Sequence, residues 1–216
     1  MKIKFAIGIP TLNRADLLIP TLELYLKDFP STQIFILDNG NQNELYSWYT
    51  KNNPTSIRLI VKDENLGVAK SWNLLLKEIY REHEYAMILN DDIYLGSSES
   101  NIQYLIDRYP TQKLLTNPLD WCVFIMPKST YQMNGEFDEQ FYPAYCEDND
   151  YVYRLKLKGH LVFKTPALLP QLHRESMTLE MDYTIATAYH ENKERYMEKW
   201  GGAPDFEVFK KPYNKN

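Results

Sequence analysis

Apolar residues in this chain arrive in short dense runs, separated by stretches in which they recur at helical spacing. Residues 2–9 form an apolar run closed by Pro10, which suits a buried strand. Residues 14–27 set Leu17, Leu18, Leu22, Leu24 and Leu26 at mostly helical spacing, and Phe29-Pro30 stops the helix. Residues 33–37 read as a second strand, closed by the turn Asp38-Asn39-Gly40. A helix is predicted over 44–51 and a third strand over 56–62. The helix predicted over 68–81 has Ala69, Trp72, Leu75, Leu76 and Ile79 on its apolar side. A fourth strand over 85–89 ends at Asn90-Asp91-Asp92. Strand and helix thus alternate through the first hundred or so residues, the signature of a parallel sheet with helices on both faces.

The second half is less regular. Residues 121–126 read as a strand, 148–158 as a helix ending at Gly159, 161–164 as a short strand, and 179–200 as a long helix closed by Gly201-Gly202. In parallel sheets of this kind ligands bind beyond the carboxyl ends of the strands. Polar groups stand at four such ends: Thr11 to Arg14, Asp38-Asn39, Asn65 with Gly67, and Asn90-Asp91-Asp92. Their convergence on one crevice is the strongest purely physical expectation in the sequence.

Composition narrows the partners. The 216 residues carry a formal net charge of -5, with 24 Lys and Arg against 29 Asp and Glu. No Lys/Arg run stands out, which argues against a nucleic-acid partner. An acidic chain binds an anionic ligand when the charge is offset locally, and a divalent cation held by carboxylates does that. Cys122 and Cys146 fall in no CxxC or other metal spacing and read as thiols of a reducing compartment. The first residues do not make a signal peptide, and no window approaches the ~20 apolar residues of a membrane span. The expectation is a soluble cytoplasmic protein forming one domain over residues 1–216, by itself or as a fragment of a larger enzyme.

Three groups are candidates for chemistry. Asp91 and Asp92 repel each other at the end of an apolar strand, and the pair is stabilised if a cation sits between it and a ligand. Oxygen donors of this kind suit magnesium or manganese; the plain alternative is a solvated turn. Glu147-Asp148 precedes a predicted helix. It serves either as a first-turn acidic cap or as a general base for a hydroxyl nucleophile. His173 is a surface histidine or a neutral ligand completing a metal site begun by Asp92, and Arg174 beside it suits phosphate. For Thr11 and Asn13 the plain role is a helix cap, for Asp38 a turn, and for Gly67 a positive φ.

Taken in order, these pieces resemble the family-2 type inverting glycosyltransferases with the GT-A fold, over roughly residues 3–200. Ile7-Gly8-Ile9-Pro10-Thr11-Leu12-Asn13-Arg14 is similar to the family's opening strand and turn. Ile36-Leu37-Asp38-Asn39-Gly40 is similar to its second strand. Asn65-Leu66-Gly67-Val68-Ala69 with Trp72-Asn73 is similar to its Asn-x-Gly segment. Leu89-Asn90-Asp91-Asp92 stands where its Asp-x-Asp motif belongs, with Asn in place of the first Asp. The segment 135–141 with Glu147-Asp148 and Arg154 is similar to its acceptor loop and Glu-Asp motif, and His173 with Ser176 to its late histidine segment. The resemblance implies an α/β fold with a mostly parallel, Rossmann-like central sheet flanked by helices. It implies transfer of a sugar from a nucleotide-diphosphate donor, with UDP expected, to the hydroxyl of a glycan acceptor.

It also implies roles. Thr11 and Asp38 would bind the nucleoside, with Asn13 and Arg14 close by. Asn65 and Asn73 would support the donor pocket, and Asn90 and Asp91 would lie along the donor. Asp92 would hold Mn2+ or Mg2+ with His173 as second protein ligand. Asp148 would be the general base, and Glu147 would orient the acceptor or the base. Two other readings stay open: a nucleotidyltransferase, against which the missing glycine loop after the first strand argues, and a non-catalytic sugar-nucleotide-binding module, which has no need of the Glu147-Asp148 pair.

Overall fold

The computed structural model describes residues 3–173 and 183–215. Four parallel strands come first: β1 (Phe5–Thr11), β2 (Ile34–Asp38), β3 (Ile57–Val61) and β4 (Tyr85–Leu89). Between them run α1 (Ala15–Asp28), α2 (Asn43–Asn52) and α3 (Val68–Ile79). The chain continues through β5 (Ile93–Tyr94), α4 (Glu99–Arg108), β6 (Leu115–Thr116), β7 (Val123–Pro127) and α5 (Lys128–Asn134). It ends with α6 (Glu147–Leu157), β8 (Phe163–Lys164), β9 (Leu172–His173) and α7 (Tyr183–Trp200). The main sheet has the order β3-β2-β1-β4-β7-β6-β8, and β5 pairs with β9 in a small ribbon.

The central strands are apolar at nearly every position because both faces are covered. Phe5, Ile7 and Ile9 of β1 point into one core, together with Leu18, Leu22 and Tyr25 of α1. Ala6 points into the other, where Trp72, Leu75, Leu76 and Ile79 of α3 close the opposite face. Burial of each such aliphatic or aromatic side chain contributes roughly 1.5–3 kcal/mol, so these two layers supply most of the drive to this topology.

β7 runs antiparallel to β4, with Leu89 opposite Val123. The start of β7 therefore lies at the same sheet edge as the end of β4, and the Asn90 N–H donates to the Cys122 carbonyl at 2.9 Å. The expected strand over 121–126 is present but reversed in direction, and the helices α4 and α5 lie where the sequence pattern predicts no element. The long helix expected over 179–200 is described from Tyr183 onward; Arg174, Ser176 and residues 179–182 lie outside the described residues.

A third core of Phe141, Cys146, Tyr153, Tyr196 and Trp200 joins α7 to α6. Asp150 of α6 is fully buried and anchors this joint. Its carboxylate accepts from Lys199 Nζ at 2.5 Å, Trp200 Nε1 at 2.9 Å and Arg154 Nε at 2.8 Å. Asn192 of α7, also fully buried, donates to the carbonyls of Tyr142 and Ala144 at 3.1 and 2.7 Å. α7 thus fixes both the first turn of α6 and the loop that precedes it.

Candidate active site

The polar strand ends converge. A cavity of about 600 Å3 opens at the carboxyl edge of the sheet, lined from β1 by Thr11 and Arg14 and from β4 by Asn90, Asp91 and Asp92. Asn39 lines it after β2, and Asn65 and Gly67 after β3. Asp120, Trp121 and Cys122 enter from the start of β7, Glu147 and Asp148 from the start of α6, and His173 from β9.

The β5–β9 ribbon explains how His173 gets there. Ile93 pairs with His173, so the residue just before Ile93 is brought beside the imidazole. His173 Nε2 stands 3.6 Å from Asp92 Oδ2. Two ligands about 2.1 Å from one ion are about that far apart, so this pair fits a shared divalent cation. Asp91 sits one residue earlier and is partly buried. Burial pushes its carboxyl up to about 7, against a hydrogen bond from Thr11 that lowers it, while the charge of Asp92 adds to the rise. Arg14 hydrogen-bonds Asp16 at 3.1 Å. That bond leads in holding its pKa above the usual value, with the Asp91 and Asp92 charges adding.

Also in the cavity wall, Glu147 and Asp148 begin α6. The two residues before them, Tyr145 and Cys146, hold φ angles of 79° and 72°, a conformation that disfavours ordinary side chains. Strain of this kind costs of order 1–3 kcal/mol per residue and persists where the surroundings over-determine it; here the Asn192 bonds to the loop and the Cys146 packing do so. Glu147 is buried, and its Oε2 has no hydrogen-bond partner among the described residues. Burial first, then the Asp148 charge, raises its pKa well above the carboxylate range. Burial raises Asp148 as well, opposed by the Asn149 N–H, which donates to Asp148 Oδ1 at 2.7 Å.

Gly67 joins the two sides. Its φ is 74°, and a Cβ there would lie 2.8 Å from Tyr142 Cδ2 and 2.9 Å from the Pro143 carbonyl oxygen. The next N–H, from Val68, donates to that same oxygen at 2.7 Å. Gly67→Ala is therefore expected to cost about 2 kcal/mol, read as a fall of roughly 4–8 °C in Tm. An unchanged melting curve would show that the loop yields freely.

Three residues expected on the donor side are not in the cavity wall. Asp38 is fully buried, and its oxygens already accept from Gly40 N, Gln42 N and Gln42 Nε2 at 2.9, 2.7 and 2.9 Å. It builds the turn, and its neighbour Asn39 faces the cavity instead. Asn73 is buried and clamps Phe137 through both backbone groups at 2.9 and 2.8 Å. Asn13, at φ 56°, lies against Gly40. Sequence reasoning in turn left out Asp120, Trp121 and Cys122, because only the antiparallel return of β7 carries them to this edge.

The cavity holds five carboxyl groups, from Asp91, Asp92, Asp120, Glu147 and Asp148, against Arg14 and His173. Such a site repels an anion unless a cation bridges the two.

Residues 6–108 match the family described as glycosyl transferase family 2. The mannosyltransferase PcManGT from Pyrobaculum calidifontis, solved in complex with GDP-Man and Mn2+, is 14% identical with a TM-score of 0.65. That likeness covers 94% of this chain and 66% of that one. S. aureus TarS is 16% identical with a TM-score of 0.61, over 74% of this chain and 35% of TarS. TarS 1-349 in complex with UDP is 15% identical with a TM-score of 0.57, over 70% of this chain and 54% of that one. This chain thus spans between a third and two thirds of the length of these structures. No curated relative matches by sequence. Among the described residues no helix is long and apolar enough to cross a membrane.

Proposed function

From the match of residues 6–108 to glycosyl transferase family 2 and from the GT-A fold, we propose that this chain transfers a sugar, with inversion, from a UDP-sugar to a hydroxyl of a glycan acceptor. The observation that carries the reading is one cavity lined both by Asp92, with His173 beside it, and by a buried Glu147 next to a half-buried Asp148 at the start of α6. Thr11, Arg14, Asn39, Asn65, Asn90 and Asp91 line the donor side. Asp92 and His173 would hold a manganese or magnesium ion, which when bound offsets the charge of the diphosphate.

Asp148 takes the proton of the attacking hydroxyl. Its neighbour Glu147, kept protonated first by burial and then by the charge of Asp148, presents a hydroxyl donor to the acceptor or to the base. The tyrosine-rich loop before α6, with Tyr145 in the cavity wall, lies on the acceptor side. Loss of UDP-sugar on incubation with manganese and oligosaccharide acceptors tests the transferase, and the anomeric configuration of the product tests inversion. No turnover with any acceptor, from a chain that binds nucleotide, favours the binding module instead.

A pH dependence follows. The base is active ionised, and burial raises its pKa. Activity is therefore lost as pH falls through a value above the ordinary ~4 of a free carboxylate. An acid limb of kcat/KM at or below that ordinary value would remove Asp148 from the role.

A further inference from the structure

Beside Asp92 three donors of different chemistry meet. Asp120, Cys122 and His173 offer a carboxylate oxygen, a thiol sulfur and an imidazole nitrogen, all within 4.8 Å of one another. The loop that carries two of them is held in shape. Asn117 Oδ1 accepts the N–H groups of Leu119 and Asp120 at 2.7 and 3.0 Å, and Asp120 Oδ1 accepts the Cys122 N–H at 2.8 Å. The Asn117 amide, itself buried, donates to Asp120 Oδ1 at 2.8 Å and to Cys122 Sγ at 3.2 Å. Such outer hydrogen bonds orient metal ligands and tune their basicity.

We propose that Asp120, Cys122 and His173 form a three-donor site for a zinc-class cation. Sulfur and imidazole select softer ions, whereas magnesium takes oxygen and keeps its waters. Three protein donors leave one tetrahedral position of zinc for water, and Asp92, 3.6 Å from His173, stands beside the site. The site shares His173 with the donor cation of the transferase reading, and it rests on that reading in one respect: zinc held through Cys122 and manganese-dependent nucleotide binding exclude each other. Burial, with the Asp120 hydrogen bond adding, holds the Cys122 thiol protonated in the free protein. On binding, the S–H bond breaks, the sulfur ligates as thiolate and the proton passes to solvent.

Cadmium is the probe, titrated into the full chain without nucleotide and followed by the ultraviolet thiolate-to-cadmium charge-transfer band. The wild type develops the band, C146S keeps it and C122S loses it. Asp120→Asn, at an exposed residue, keeps the fold and weakens cadmium binding about tenfold or more. Absence of the band in the wild type, or its survival in C122S, overturns the site, as does displacement of cadmium by an equal concentration of magnesium. In a second titration, zinc suppresses manganese-dependent UDP binding to the wild type but not to C122S. A cadmium band without nucleotide binding under any condition overturns the transferase reading and leaves this site standing. Nucleotide binding with manganese and no cadmium band does the reverse.

Discussion

Asp148→Asn is expected to lower transfer by about a thousandfold, within the 10²–10⁴ range of a positioned base, or roughly 4 kcal/mol of transition-state stabilisation. The substitution keeps size and shape, so the Asn149 N–H still finds an oxygen at the start of α6. Donor affinity should stay within about twofold, because Asp148 comes from the start of α6 and not from a strand end. Single-turnover rates and nucleotide titration on the same preparation separate the two effects. Loss of donor binding would move Asp148 to the donor site, and retained transfer would pass the base role to another group.

The second large effect is expected at Asp92→Ala. It removes the carboxylate that faces His173 at 3.6 Å and leaves Asp91 and Asp120 beside a vacant donor position. Cation-dependent nucleotide affinity should fall about a hundredfold or more, near 2.7 kcal/mol. Without cation, nucleotide binding should be as weak for the variant as for the wild type. The contrast between the two conditions is the diagnostic. Unchanged cation dependence would assign the ligand role to Asp91 or to the Asp120-Cys122 loop.

The first half of the fold was legible because β1, β2 and β4 are buried on both faces and read as apolar runs, while α3 carries its apolar residues on one side. α4 escaped the same reading. Its core-facing side includes Gln103, fully buried, which accepts from the Lys4 N–H at 3.0 Å and interrupts the apolar stripe. β6 and β8 are two residues long and leave no periodic trace. An apolar run does not encode strand direction, so the reversal of β7, and with it the arrival of Asp120 and Cys122 at the cavity, came from pairing alone.

Within the site, the strand-end rule found Thr11, Arg14, Asn65, Asn90, Asp91 and Asp92 in the cavity wall. At β2 it named Asp38-Asn39, and of the two Asn39 lines the cavity while the oxygens of Asp38 accept from their own turn. Asn73 illustrates a different limit: the family resemblance implied a role in the donor pocket, and its side chain satisfies the buried backbone of Phe137. The approach of His173 to Asp92 depends on a two-residue ribbon between segments some eighty positions apart, a pairing no local pattern announces.

Calorimetric titration of the purified chain with UDP, in the presence and absence of manganese and with GDP and dTDP in parallel, tests the central claim most directly. The account predicts UDP binding that appears only with the cation, as five carboxyl groups around the cavity require. Equal binding with and without manganese, or no binding of any of the three nucleotides, would contradict it.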